Sequence, residues 1–151
     1  MATLTVTVKE DVLINGVHRG SENVTDITGI TETYSRVLDV LNSADTDVLK
    51  FGSADGAGTI SRTKLKYMRF TNLSTTAANT ITLSIEDTDS EQYIIKLAAG
   101  QSYVLYNTDF DANDASTSVA IGGSYSFGGA IDLIMARAAG TPQMEVFAAM
   151  S

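Results

Sequence analysis

The chain runs to 151 residues with 18 acidic side chains against 10 basic ones, a formal net charge of −8, and no Cys. Lacking Cys, it has no disulfide framework, thiolate metal site or Cys nucleophile. Its acidity opposes contact with naked nucleic acid or an anionic membrane, where Lys and Arg must meet phosphate.

The length suits one β-sandwich domain over residues 1–151, which buries ~70% of the unfolded surface without staples. No apolar run approaches the ~18 residues of a membrane helix; the longest, 130–139, is broken by Asp132 and Arg137. Met1-Ala2-Thr3-Leu4 lacks the basic and then apolar order of a secretory signal, so none is expected. The negative surface reads first as self-repulsion that keeps the protein soluble. It reads second as an exterior that avoids DNA and cells.

In chain order, Leu4, Val6 and Val8 alternate with Thr3, Thr5, Thr7 and Lys9, the pattern of a half-buried strand. Val12-Leu13-Ile14 leads into Asn15-Gly16, a strong signal for a tight hairpin turn, and Val17-His18 begins the return. Residues 23–41 read as a long extended stretch, with Gly29 marking a bend or bulge. Within it, Tyr34, Val37, Leu38 and Leu41 keep helical spacing, so a short helix competes there. A strand is expected at 48–51, followed by a glycine-rich loop over 52–58. Strands at 64–72, 80–86, 93–97 and 102–106 follow, the last two joined by Ala98-Ala99-Gly100-Gln101 as a hairpin. In the first of these, Leu65, Tyr67 and Arg69 alternate against Lys66, Met68 and Phe70. Strands at 117–121, 130–138 and 143–148 complete the chain, with Gly140-Thr141-Pro142 turning between the last two. About nine or ten short strands with regular turn signals predict an all-β, antiparallel sandwich, jelly-roll-like in its winding.

Candidate chemistry is sparse. His18 is the single His, it follows a tight turn, and no G-x-S-x-G elbow accompanies it, so a turn residue is the better reading than a triad or zinc ligand. Asp109-Phe110-Asp111-Ala112-Asn113-Asp114 begins like a calcium loop, but Asp114 replaces the turn glycine and Ala120 stands where the bidentate Glu belongs. Asp87-Thr88-Asp89-Ser90-Glu91 reads as an acidic hairpin loop. Gly52, Gly56 and Gly58 lack the Gly-Lys-Ser/Thr and the helix of a phosphate loop. Arg62, Lys64, Lys66 and Arg69, interleaved with Tyr67 and Phe70, suggest single-stranded nucleic acid. Alternation divides them between two strand faces, and a solvated face or an acidic partner is favoured. Asn23-Val24-Thr25 and Asn72-Leu73-Ser74 match the glycosylation sequon, of little meaning without a secretory signal. No catalytic, cofactor or metal residue is assigned, and the chain is expected not to be an enzyme. Tyr34, Tyr103, Tyr106 and Tyr125 are the candidate stacking residues of an alternative, a carbohydrate-binding or host-attachment module of a neck, tail or fibre. The apolar segment 144–150 is expected in the core, through Met144, Val146 and Met150, before an interface.

Three blocks carry a resemblance. Phe51-Gly52-Ser53-Ala54, Gly58-Thr59-Ile60 and Lys66-Tyr67-Met68-Arg69-Phe70-Thr71-Asn72-Leu73 form the first. Leu97-Ala98-Ala99-Gly100-Gln101-Ser102-Tyr103-Val104-Leu105 and Gly140-Thr141-Pro142-Gln143-Met144-Glu145-Val146-Phe147 are the others. In this order they resemble small virion structural proteins of tailed, notably marine, bacteriophages, over roughly the C-terminal two-thirds. The resemblance implies a capsid decoration or cement role in the virion, without catalytic residues. It implies contact with the major capsid protein or another virion protein, and a homo-oligomer, with a trimer favoured. Nucleic acid and membrane are not expected partners.

Overall fold

Alternating apolar residues can close against a second sheet or against nothing but one neighbouring strand, and this chain does both. The structure, a computed structural model, describes residues 1–56, 58–106 and 130–151. Its strands are β1 (Ala2–Lys9), β2 (Val12–Ile14), β3 (Val17–Arg19), β4 (Glu22–Ile30), β5 (Glu32–Asp39), β6 (Thr46–Gly52) and β7 (Thr59–Ser61). A single 3-10 turn at Arg62–Lys64 precedes β8 (Leu65–Asn72), β9 (Thr80–Asp87), β10 (Gln92–Leu97), β11 (Ser102–Tyr106), β12 (Ile131–Ala139) and β13 (Gln143–Met150). The strand expected at 117–121 lies outside the described residues.

Two sheets form the body. One has the order β11-β8-β13-β5 and the other β10-β9-β12-β6-β7. Every pairing is antiparallel except β6 with the short β7. The sheets face each other across one core. Phe70, Met68, Met144 and Val146 from the first sheet meet Ile81, Leu83, Ile85 and Ile134 from the second, all closed from solvent. Each such side chain stabilises the fold by roughly 1.5–3 kcal/mol over its exposed state. The pairings are nested: β5 with β13, β6 with β12, β8 with β11 and β9 with β10.

Asn72 ties this body together at one end. Fully buried, it donates through Nδ2 to the carbonyls of Asn79 (3.0 Å) and Leu97 (3.3 Å), and its Oδ1 accepts from the Ser74 N–H (3.1 Å). Both donor positions and the acceptor are matched, as a buried amide requires. Its side chain is therefore part of the fold, whatever the sequon around it.

Three expectations are corrected. No helix forms near Tyr34: β5 is a strand, with Leu38 opposite Met144 and Tyr34 opposite Ala148. Pairing with a buried neighbour overrides a short helical spacing. The segments 93–97 and 102–106 are not a hairpin. β10 joins β9 in one sheet and β11 joins β8 in the other. The Ala98–Gln101 turn crosses between sheets because Asn72 captures it, donating its N–H to Gln101 and accepting from the Gly100 N–H. Finally, Leu65 does not share a face with Tyr67. The register shifts between Ala149 and Met150, opposite Tyr67 and Leu65, so Leu65 enters the main core beside Met68 and Phe70. A bulge of this kind moves one side chain to the other face.

The first thirty residues stand apart as a ribbon. β1 pairs with β4 over its length, and β2 with β3 form a hairpin at the tip. Asn15 (φ 51°) and Gly16 (φ 78°) make the tip turn, as Asn-Gly is suited to do. Gly20 marks the waist between tip and ribbon, where an added Cβ would stand 2.0 Å from the Glu10 carbonyl oxygen. Among the described residues the arm packs at its base: Leu4, Val6, Ile27 and Ile30 cluster with Tyr67, Tyr106, Phe147 and Ala149 on the outer side of the four-stranded sheet.

Candidate functional site

The residues with chemical promise fall into local structural roles. His18 Nδ1 lies 3.0 Å from Asp11 Oδ1 on the open arm, both side chains well exposed. Among the described residues, no group of three or more His, Asp or Glu is placed to hold a metal ion. The calcium-like stretch 109–114 lies outside the described residues. Asp87 is buried and turns its Oδ1 onto the N–H groups of Asp89 (2.9 Å) and Glu91 (2.8 Å). It shapes the β9–β10 hairpin turn.

The glycines at 52, 56 and 58 bring the chain back alongside β6, so that Lys50 pairs with Thr59 in parallel. β7 and one 3-10 turn follow them, with no α-helix. The basic set is also largely engaged within the chain. Arg62 donates to the carbonyls of Ile131 (2.9 Å) and Phe51 (3.4 Å) and pairs with Asp132. Lys64 pairs with Asp55, and Arg69 with Glu145. A hydrogen bond from Lys64 and a second from the Ser61 N–H hold the Asp55 carboxyl below its ordinary range. Only Lys66 of the four lacks such a pair among the described residues. Three of these four cations thus have a carboxylate partner within the chain.

The tyrosines considered as sugar platforms are partly buried against the protein. Tyr34 and Tyr103 pack against the main core, and Tyr106 joins the cluster under the arm, 6.1 Å from the Tyr67 ring. Burial pushes the Tyr103 and Tyr67 phenols above their ordinary value. Tyr125 lies outside the described residues. Met144, Val146 and Met150 are buried, as their apolar run suggested.

The sequence reading foresaw the strand and hairpin of the arm and missed their exposure. Val12 (50% exposed), Leu13 (62%), Ile14 (50%) and Val17 (54%) all face solvent at its tip. Val8 and Val24 are open along the ribbon. All six residues of β2 and β3 are exposed. An isolated two-stranded ribbon is at best marginally stable in water, and a run of exposed large aliphatic side chains marks a contact surface. The signal was present: Ile14 and Val17 pair across the tip on one face while Leu13 stands on the other. The hairpin is therefore apolar on both faces and open to solvent.

The arm also has a polar border. Lys9 and Glu22 approach at 3.9 Å, and the Ser21 hydroxyl donates to Glu10 Oε2 at 3.2 Å. Exposed pairs of this kind contribute little stability. They place acidic and basic groups beside the apolar tip. Comparison of the chain with protein-family models, with curated proteins and with solved structures finds no match.

Proposed function

We propose that this protein is a non-enzymatic structural component of a bacteriophage virion, a decoration or cement protein that binds the assembled shell through protein contacts. The observation that carries the reading is the projecting arm, whose tip presents Val12, Leu13, Ile14 and Val17 to solvent from a ribbon that cannot bury them. A β-sandwich supplies a rigid base, and the arm supplies apolar contact area. The nested strand pairing supports a jelly-roll reading of the body, because such a fold is one long antiparallel ribbon wound into two sheets. The partner is the major capsid protein or another virion protein. A protein that binds the assembled shell and not its free subunits shifts the equilibrium toward assembly.

The test is quantitative mass spectrometry of purified particles. Many copies per particle are expected, with particles stripped of this chain losing resistance to heating. Recovery of the chain only from the soluble fraction of a lysate would remove the decoration role.

A further inference from the structure

Of the long edge strands β5, β10 and β11, β10 alone leaves two large apolar side chains more than half exposed, Tyr93 (52%) and Ile94 (60%). Its backbone is open as well. In the β9–β10 pair the Asp87 N–H donates to the Glu91 carbonyl at 3.0 Å. Bonded and unbonded residue pairs alternate along an antiparallel ladder. Tyr93, Ile95 and Leu97, opposite Ile85, Leu83 and Ile81, therefore bond to β9, and Gln92, Ile94 and Lys96 turn their N–H and carbonyl groups outward. Among the described residues no strand lies on that side. Such an edge invites pairing with a further chain unless Pro, a bulge or charge blocks it. β10 has no Pro, and its one charge, Lys96, stands near its end.

We infer that β10 pairs with β10 of a second copy, antiparallel about a twofold axis at Ile94, joining two five-stranded sheets edge to edge. This goes beyond the shell role and uses no residue of the arm. A twofold contact uses one surface twice, so that surface must complement itself; a foreign strand asks for no such symmetry. β10 complements itself in two ways. Its residues Gln92, Tyr93, Ile94, Ile95 and Lys96 are polar at both ends and apolar between, in either direction. An antiparallel copy centred on Ile94 sets Tyr93 against the partner's Ile95 and Gln92 against the partner's Lys96. The charges, in contrast, are opposite at the two ends. Glu86, Asp89 and Glu91 lie where β10 begins, with no Lys or Arg between 86 and 95. Arg62, bonded at that end to the Ile131 carbonyl, is paired with Asp132. Lys96 lies at the other end opposite Thr82, with Arg137 on the far side of Thr82 and paired with Asp45. Turning a copy end for end brings Lys96 onto the partner's Gln92, a residue whose amide donates to Glu86 at 2.7 Å. Cation thus meets the acidic end on both sides of the axis.

Sedimentation of the full-length chain at tens of micromolar should show a dimer. Ile94→Pro tests the edge, because the N–H it removes points away from β9 and Pro is tolerated at such positions. The dimer should weaken roughly tenfold or more, for two lost hydrogen bonds across the axis, with the circular dichroism of the fold unchanged. A second set reads the register and leaves the backbone alone. Gln92→Lys puts like charges opposite Lys96 at both symmetry-related positions and should weaken the dimer roughly 2- to 30-fold. Mixing it with Lys96→Glu should give a dimer tighter than either variant forms alone. Should Ile94→Pro unfold the chain, this exchange decides by itself. A monomeric parent, a dimer that survives in folded Ile94→Pro, or a mixture no tighter than its components overturns the inference. A monomeric parent whose Ile94→Pro variant is lost from purified particles would give the edge to another virion protein, against the twofold pairing. A dimer that passes these tests but is absent from particles supports the inference and removes only the shell role.

Discussion

The strand β9 and the strand β1 carry the same kind of pattern and meet opposite fates. In β9, Ile81 (0%), Leu83 (0%) and Ile85 (3%) are sealed, whereas along β1 exposure grows from half-buried Leu4 and Val6 to Val8 at 44%. Both alternate apolar with polar residues at a period of two, so local sequence does not separate them. The difference is the layer above. β9 sits between β10 and β12 and faces a second sheet, while β1 has one neighbour and leaves the body after Val6. Alternation reports which residues share a face; whether that face is covered depends on strands far away in the chain.

The largest expected effect probes that contrast directly. Phe70→Ala empties a site enclosed by both sheets and should cost about 3–5 kcal/mol. Leu13→Ala, an equally apolar deletion on the arm tip, should change stability by no more than ~0.5 kcal/mol in dilute solution. Urea unfolding followed by circular dichroism measures both, since the chain has no Trp. A comparable loss in the two variants would mean that the arm folds with the body as one packed unit.

A second pair applies the same contrast to polar groups. Asn72→Ala strips partners from Asn79, Leu97 and Ser74 inside the body and should cost about 2–4 kcal/mol, given ~1–3 kcal/mol for each buried group left unsatisfied. Asn23→Ala, exposed on β4, should be nearly neutral. An equal response from both would show that the Asn72 network is not what joins the sheets.

The smallest effect is a pH dependence. Asp55 has a folded pKa held below its ordinary value, first by the Lys64 hydrogen bond and then by the Ser61 N–H. The stability it contributes is present above that ordinary value and is lost as acidification passes through the lowered one. The urea midpoint of the parent should therefore fall slightly more than that of Asp55→Asn as the pH drops below ~4. Parallel curves for the two proteins would show the surface pair to be energetically silent, as exposed pairs often are.

Much of the body was legible. The alternations at 64–72 and 80–86 and the turn residues between them predicted strands, and Asn15-Gly16 predicted its turn. The pairing of the segments 93–97 and 102–106 was not legible, because Ala98–Gln101 looks the same whether it closes a hairpin or bridges two sheets. Asn72 decides the matter, and its partners stand 7 and 25 residues away. Asp87 was read as part of an acidic hairpin loop, where the structure places it; Arg62 was read as a solvated or partner-facing cation and instead bonds to Ile131, Phe51 and Asp132 within the chain. The exposure of the arm escaped because its exposed residues are ordinary strand residues.

By itself the sequence determined an all-β chain, the position of most strands, and the scarcity of reactive groups, since these depend on residue type and on a period of two. Tertiary structure alone decided which faces are covered, how the strands are ordered, and that four aliphatic side chains at the tip are left in water. The reason is range. A strand's propensity is set within a few residues, but the sheet that buries it is assembled from segments more than a hundred positions distant, as β5 and β13 show when Asp39 meets Gln143.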